Sequence, residues 1–164
     1  MAYFYKNIKY KILELLPLFF LFYISLTGNS TISFTLFSIQ INYILVYYWV
    51  LRRPNNLGYG VIFLAGIFND VLYGLPLGIS SLSLLIIAGV AAYVRVVTVR
   101  ITLTNDWISF IPALLFGNFI YFFALYFSDY SVDYMELFQN SFFTIIFYPI
   151  LWGLFFLISN FMEQ

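Results

Sequence analysis

Long apolar runs separated by short polar segments make up most of this chain. A helix needs about 20 apolar residues to cross a hydrocarbon core about 30 Å thick, and six runs approach that length. The segments between them carry glycine, proline, asparagine and charged residues, which favour turns. The pattern predicts an all-α, polytopic integral membrane protein, in which residues 1–164 form one domain with six transmembrane helices at about 12–28, 32–51, 59–77, 79–99, 107–127 and 138–161.

The distribution of charge gives an expected orientation for these spans. If the N-terminus lies in the cytoplasm, every cation falls in an inside segment; the cations are Lys6, Lys9, Lys11, Arg52, Arg53, Arg95 and Arg100. Cytoplasmic segments of membrane proteins are enriched in Lys and Arg, and aromatic residues such as Trp49 and Tyr126 are typical of the two membrane interfaces. We therefore expect a multi-pass protein of the bacterial inner membrane with both ends in the cytoplasm.

Composition narrows the classes of function. Hydrophobic residues make up 63% of the chain and charged residues 9%, and the mean hydropathy is +0.95, which is too apolar for a soluble domain of this size. The formal net charge is zero, so no nucleic-acid partner is indicated. The chain has no cysteine and no histidine, which removes thiolate nucleophiles, imidazole bases and the usual metal ligands. We expect no cofactor and no enzymatic activity.

The third predicted span carries the most unusual chemistry. Gly66, Asp70 and Gly74 are spaced by four and share one helix face, and Asn69 lies beside them. An ionisable residue inside a membrane is costly unless it faces protein. By the rise of about 1.5 Å per residue, two further polar residues lie at a depth similar to that of Asp70. The cluster predicted on this basis consists of Gln40, Asn69, Asp70 and Asn118.

Two interpretations of Asp70 remain open at this point. In the favoured one, it is a buried hydrogen-bonding residue that fixes helix packing; in the other, it is a proton or cation site in a transport pathway. The fourth span has a stripe of small residues that contains Ala88 and Ala92 and ends at Arg95. Such stripes allow close approach of membrane helices, so we expect this stripe to pack against the glycine face of the third span.

The segment from Phe63 to Gly78, together with the helix after it, resembles the most characteristic part of the MreD family. The matching positions are Gly66, Asp70, Gly74, Pro76, Leu77, Gly78 and Arg95. The resemblance covers about a fifth of the chain, and the rest agrees in length and hydropathy. Asn69 departs from the family, in which an apolar residue is frequent at this position.

This resemblance implies a non-enzymatic scaffold subunit of the bacterial cell-elongation (rod) complex. MreD-like proteins work with the single-span protein MreC and, directly or indirectly, with the MreB filament, RodZ, the glycosyltransferase RodA and its transpeptidase, to direct lateral peptidoglycan synthesis and maintain rod shape. Their helical core is similar to the substrate-binding subunits of energy-coupling-factor vitamin transporters. The alternative function is therefore a small-solute binding subunit with an outward pocket lined by the predicted polar cluster.

Overall fold

The computed structural model describes residues 15–28, 31–34, 37–54, 56–98, 102–130 and 134–161. These residues form six helices and one pair of strands. The helices are α1 (Leu16–Leu26), α2 (Ile41–Arg52), α3 (Tyr59–Tyr73), α4 (Ile79–Val97), α5 (Leu103–Phe127) and α6 (Tyr134–Phe161), and the strands are β1 (Thr31–Phe34) and β2 (Phe37–Gln40). The predicted all-α class is confirmed for most of the described residues, and the pair of strands is the exception. Four of the cations used above, Lys6, Lys9, Lys11 and Arg100, lie outside the described residues.

Three of the helices are long and apolar enough to cross a membrane. They contain the stretches Ile79–Val97, Leu103–Phe127 and Met135–Asn160. Helices α1 and α3 are apolar but shorter, and α2 has 12 residues, which corresponds to about 18 Å. Helix length and composition therefore support three candidate spans and do not by themselves support six.

The prediction of one continuous helix over 32–51 is wrong. The first part of this segment is an antiparallel hairpin, in which Thr31 pairs with Gln40 and Ser33 with Ser38, while Ile32 pairs with Ile39. The residues alternate between polar and apolar, a period of two that places each kind on one face of a strand pair. Averaging hydropathy over a helix-length window conceals this alternation.

Other helix boundaries differ from the predicted spans for local reasons. Helix α3 ends at Tyr73, four residues before the predicted end, because Gly74 adopts a left-handed conformation with φ of 64°. Helix α5 begins at Leu103, four residues earlier than predicted. The hydroxyl of Thr102 accepts a hydrogen bond from the backbone N–H of Asn105 at 3.4 Å, which is the N-cap contact that starts a helix.

Helix α2 is the centre of the hydrophobic core. Its residues from Ile41 to Leu51 are all buried, although the sequence placed Trp49 at a membrane interface. The ring of Tyr47 meets Phe110 of α5 at 5.2 Å, and Phe110 stacks on Tyr148 of α6 at 4.4 Å between ring centroids. Because neighbouring helices surround α2 on all sides, its aromatic side chains pack against protein.

The polar contacts separate into two ends of the bundle. At one end, Arg52 contacts Asp106, Arg53 donates to the carbonyl of Ser159, and Arg95 donates to the carbonyl of Val50. These contacts join the C-terminal ends of α2, α4 and α6 to the start of α5. At the other end, the hydroxyl of Tyr73 donates to the carbonyl of Gly28. Successive helices therefore alternate in direction, and all three arginines of the described residues lie at one end, which we call the cation end.

Candidate functional site

The α3–α4 corner, residues 74–78, begins with a backbone stop signal. The N–H of Leu75 donates to the carbonyl of Asp70 at 2.9 Å and the N–H of Gly74 to that of Val71 at 3.4 Å, which is the Schellman pattern of a helix end. Gly78 also has a positive φ, of 100°. A Cβ atom at either glycine would meet nothing within 4 Å. These two glycines therefore serve the backbone of the corner, and Gly74 does not share the helix contact expected of it.

The carboxylate of Asp70 caps the start of α4. One oxygen accepts from the backbone N–H of Gly78 at 2.7 Å and the other from that of Ser80 at 2.9 Å. The first N–H groups of a helix have no partner within the helix, and a negative group is favoured there by the helix dipole. Asp70 is fully buried. Its position supports the hydrogen-bonding interpretation, since both oxygens are used by the backbone.

Gly66 allows a close approach of α3 and α4. A Cβ atom built on Gly66 would lie 2.3 Å from the Cα of Ser81 in α4. The hydroxyl of Ser81 donates to the carbonyl of Phe63 at 2.8 Å, so the same close approach also forms an interhelical hydrogen bond. The predicted packing of α3 against α4 is therefore made at Gly66.

The remaining members of the small-residue stripe separate along α4. Ala88 is fully buried and belongs to the core, whereas Ala92 is partly buried against it. Arg95 reaches α2, where its guanidinium donates to the carbonyl of Val50 at 3.2 Å. The arginine at the end of the stripe thus contacts the central helix α2.

The predicted polar cluster divides into two groups. The amide of Asn118 donates to Gln40 at 3.3 Å and to Ser141 at 2.6 Å. Asn69 instead donates to the hydroxyl of Ser80 at 3.2 Å, beside the Asp70 cap. Gln40 and Asn69 both line one cavity, whereas Asp70 and Asn118 are buried and are not among its lining residues.

This cavity lies at the end of the bundle opposite the cation end, and we call it the outward cavity. Its volume is about 250 Å³, somewhat below the range of small-molecule sites, about 300–1,000 Å³. It is bounded by the hairpin, the corner after α3, the described residues after α5 and the start of α6. The lining residues are Thr31, Gln40, Asn42, Tyr43, Asn69, Tyr73, Leu75, Ser80, Leu84, Tyr121, Leu125, Tyr130, Glu136, Leu137 and Asn140.

Sequence reasoning missed Asn42 on the cavity wall. It is 3% exposed, and neither polar atom of its side chain has a hydrogen-bond partner in the described part of the chain. The criterion that selected Gln40, a polar residue inside an apolar run, also applies to Asn42 two residues later.

The second missed feature is a charged contact at the cation end. Arg52 of α2 lies 3.4 Å from the carboxylate of Asp106 in α5, and the indole N–H of Trp152 in α6 donates to the same oxygen at 2.8 Å. The guanidinium also lies over the Trp152 ring, 4.9 Å from its centroid, within the range of a cation–π contact. The sequence placed Arg52 and Asp106 in loops on the same side of the membrane, and this placement is the sequence feature from which their contact could have been predicted.

Comparisons with protein-family models, with curated proteins and with solved structures give no match for this chain.

Proposed function

We propose that this chain is an MreD-like, non-enzymatic scaffold subunit of the bacterial cell-elongation complex. In this role it lies in the inner membrane with both ends in the cytoplasm and binds an MreC-like single-span protein. Through that partner it acts, directly or indirectly, with MreB, RodZ, RodA and the transpeptidase to direct lateral cell-wall synthesis. Its binding elements are helices, because the loops between them are too short to form a separate binding domain.

The observation that carries this proposal is the use made of the residues that resemble the MreD family. Gly66 allows the close contact between α3 and α4, and Asp70, Gly74 and Gly78 build the corner that joins them. The residues that resemble the family therefore fix the arrangement of two helices. A scaffold requires such residues, since its function depends on holding a binding surface in place.

The six-span topology is part of this proposal, and the hairpin is compatible with it. Helix α2 covers about 18 Å, and the four-residue strands add about 13 Å, which together match a hydrocarbon core of about 30 Å. Backbone that is not helical is tolerated at membrane depth where it is buried in protein or lines a cavity. Thr31 and Gln40 line the outward cavity, and Ser38 contacts Asn140 of α6.

Exposed apolar faces give the scaffold surfaces for lipid and partner helices. On α3, Phe63, Leu64 and Val71 are 42%, 49% and 60% exposed. Lipid tails satisfy such faces, and so do the helices of a membrane partner, which associate by close packing.

The test is capture of partners from native membranes. The full-length tagged chain, extracted in mild detergent after crosslinking, should recover a single-span MreC-like protein, and an unrelated six-span bait from the same membranes should not. Depletion of the chain should convert rods to round cells. Recovery of an ATPase complex, with cell shape unchanged on depletion, would contradict the scaffold role.

The outward cavity favours a second candidate function, a small-solute binding subunit of a transporter. Such a subunit needs a pocket with polar groups, and Gln40 and Asn69 line the cavity at the end opposite the cation end. Depletion would then produce a nutrient requirement with normal morphology, which separates this function from the first.

A further inference from the structure

The wall of the outward cavity contains a buried side-chain amide that has no hydrogen-bond partner among the described residues. Asn42 is 3% exposed, and its side-chain N–H₂ and C=O both lack partners among the described residues. A buried polar group left without a hydrogen bond costs about 1–3 kcal/mol, and such groups are rare in folded proteins. Asn42 therefore places an unused donor and an unused acceptor in the wall of the cavity.

The rest of the lining defines the charge that the cavity favours. Among the described residues that line the cavity there is no arginine or lysine, and Glu136 is the one that carries a formal charge. The side-chain oxygen of Asn69 is a second unpaired acceptor. Tyr43 and Tyr121 add aromatic surface. A lining with an acid, without cations and with unpaired amide atoms disfavours anions and favours uncharged groups that donate and accept together.

The volume limits the size of the occupant. A cavity of about 150 Å³ holds a benzene molecule, and the outward cavity measures about 250 Å³. A single substituted ring or a molecule the size of an amino acid fits this space, whereas a large cofactor does not.

We propose that the outward cavity binds a small uncharged molecule through a carboxamide group, which pairs donor to acceptor and acceptor to donor with Asn42. The aromatic side chains of the lining cover the remainder of the molecule. This site does not depend on the scaffold role. Failure of binding leaves the capture of membrane partners unaffected, and failure of that capture leaves the binding measurement unaffected.

The test compares two probes of nearly equal shape. The purified full-length chain in lipid nanodiscs is titrated with benzamide and with benzoate, and binding is followed by saturation-transfer NMR of the probe. Benzamide should bind, with a dissociation constant in the micromolar to millimolar range expected for so few heavy atoms, and benzoate should bind at least tenfold more weakly. Equal binding of the two probes, or binding of neither, would overturn the proposal.

A substitution at the cavity wall tests the role of Asn42. Asn42→Leu should weaken benzamide binding at least tenfold while leaving the melting temperature unchanged or raised, because it removes an unpaired buried amide. The matched control is Asn56→Leu, since the side-chain nitrogen of Asn56 is also buried without a partner but lies in the loop after α2, at the cation end. This control should bind benzamide as the parent does. Full binding by Asn42→Leu would overturn the proposal.

A second variant covers the case in which Asn42→Leu does not fold. Leu137→Trp enlarges a half-buried lining residue of α6 and fills the cavity. It should abolish benzamide binding without disturbing the core around α2. Retention of binding in this variant would place the probe elsewhere on the protein and overturn the proposal.

Discussion

At the scale of single residues, glycine has two distinct roles in this chain. Gly66 is needed because it packs against the backbone of α4. A Cβ atom built on Gly66 would lie 2.3 Å from the Cα of Ser81. Gly74 has open space around it but a φ of 64°, a conformation that costs L-residues about 1–2 kcal/mol. One glycine is required by packing and the other by conformation.

The packing role predicts the effect of a single methyl group. Gly66→Ala should destabilise the protein by about 1–3 kcal/mol, since the helices must separate to admit the Cβ atom. The melting temperature in detergent measures this loss. Gly89→Ala in α4 is the matched control, because a Cβ atom there meets nothing within 4 Å, and replacing a helix-interior glycine by alanine stabilises by about 0.5–1 kcal/mol. Equal melting temperatures for the two variants would contradict the close contact.

The sequence identifies Gly66 and Asp70 as unusual, but their different partners follow only from the fold. A spacing of four places both on one face of α3, yet Gly66 meets the side of α4 and Asp70 meets its first N–H groups. The distinction depends on how the corner turns between Gly74 and Gly78, which spacing alone does not encode. Asn42 meets the same criterion as Gln40, a polar residue inside an apolar run, but that criterion gives no sign of the cavity beside it.

At the scale of elements, Asp70 ties the end of α3 to the start of α4. Asp70→Asn keeps the shape of the side chain but replaces one acceptor oxygen with a donor that faces a backbone N–H. We expect a loss of stability of about 1–3 kcal/mol, the usual cost of an unmade hydrogen bond to a buried group, measured as a lower melting temperature. Below that temperature, the variant should still capture its partners. In the hydrogen-bonding interpretation, the charge of Asp70 has no role beyond structure.

Asp129→Asn is the matched control for that substitution. Asp129 is exposed, follows the end of α5 and has a φ of 52°, a conformation that asparagine also tolerates. Its replacement should leave the melting temperature unchanged. Loss of partner capture by a folded Asp70→Asn protein would support the proton or cation site instead.

The contact of Arg52, Asp106 and Trp152 joins three helices at the cation end. Asp106→Asn should destabilise the protein by about 2 kcal/mol, because it leaves the Arg52 guanidinium without its counter-charge in a partly buried position. Trp152→Phe removes one hydrogen-bond donor and should cost about 1 kcal/mol. Thermal unfolding of both single variants and the double variant measures the coupling. Strictly additive losses would show that the two contacts are independent.

The hairpin marks the limit of element prediction from hydropathy. Helices α4, α5 and α6 are predictable, because their apolar stretches are long and have clear stop signals. The segment 31–40 also contains many apolar residues, but its alternating pattern pairs like residues across two strands. A strand pair is stable there because α6 lies against it, with the hydroxyl of Thr144 accepting from the backbone N–H of Gln40 at 3.0 Å. This tertiary contact is invisible in the local sequence.

At the scale of the whole molecule, the two ends of the bundle differ in chemistry. The cation end gathers the arginines of the described residues, and the opposite end carries the outward cavity with Glu136 on its lining. The sequence assigned these two sets of residues to opposite sides of a membrane from the positive-inside rule. The contacts within the fold bring the arginines together independently of that rule. On this basis we propose that the cation end lies in the cytoplasm.

Cysteine accessibility in intact cells tests this placement most directly. The chain has no cysteine, so single cysteines report one position each. Ser128→Cys, at the exposed end of α5, should react with a membrane-impermeant maleimide added outside the inner membrane, and Thr104→Cys, exposed at the start of the same helix, should react only after the membrane is permeabilised. Labelling of Thr104→Cys before permeabilisation, or of both positions alike, would contradict the account.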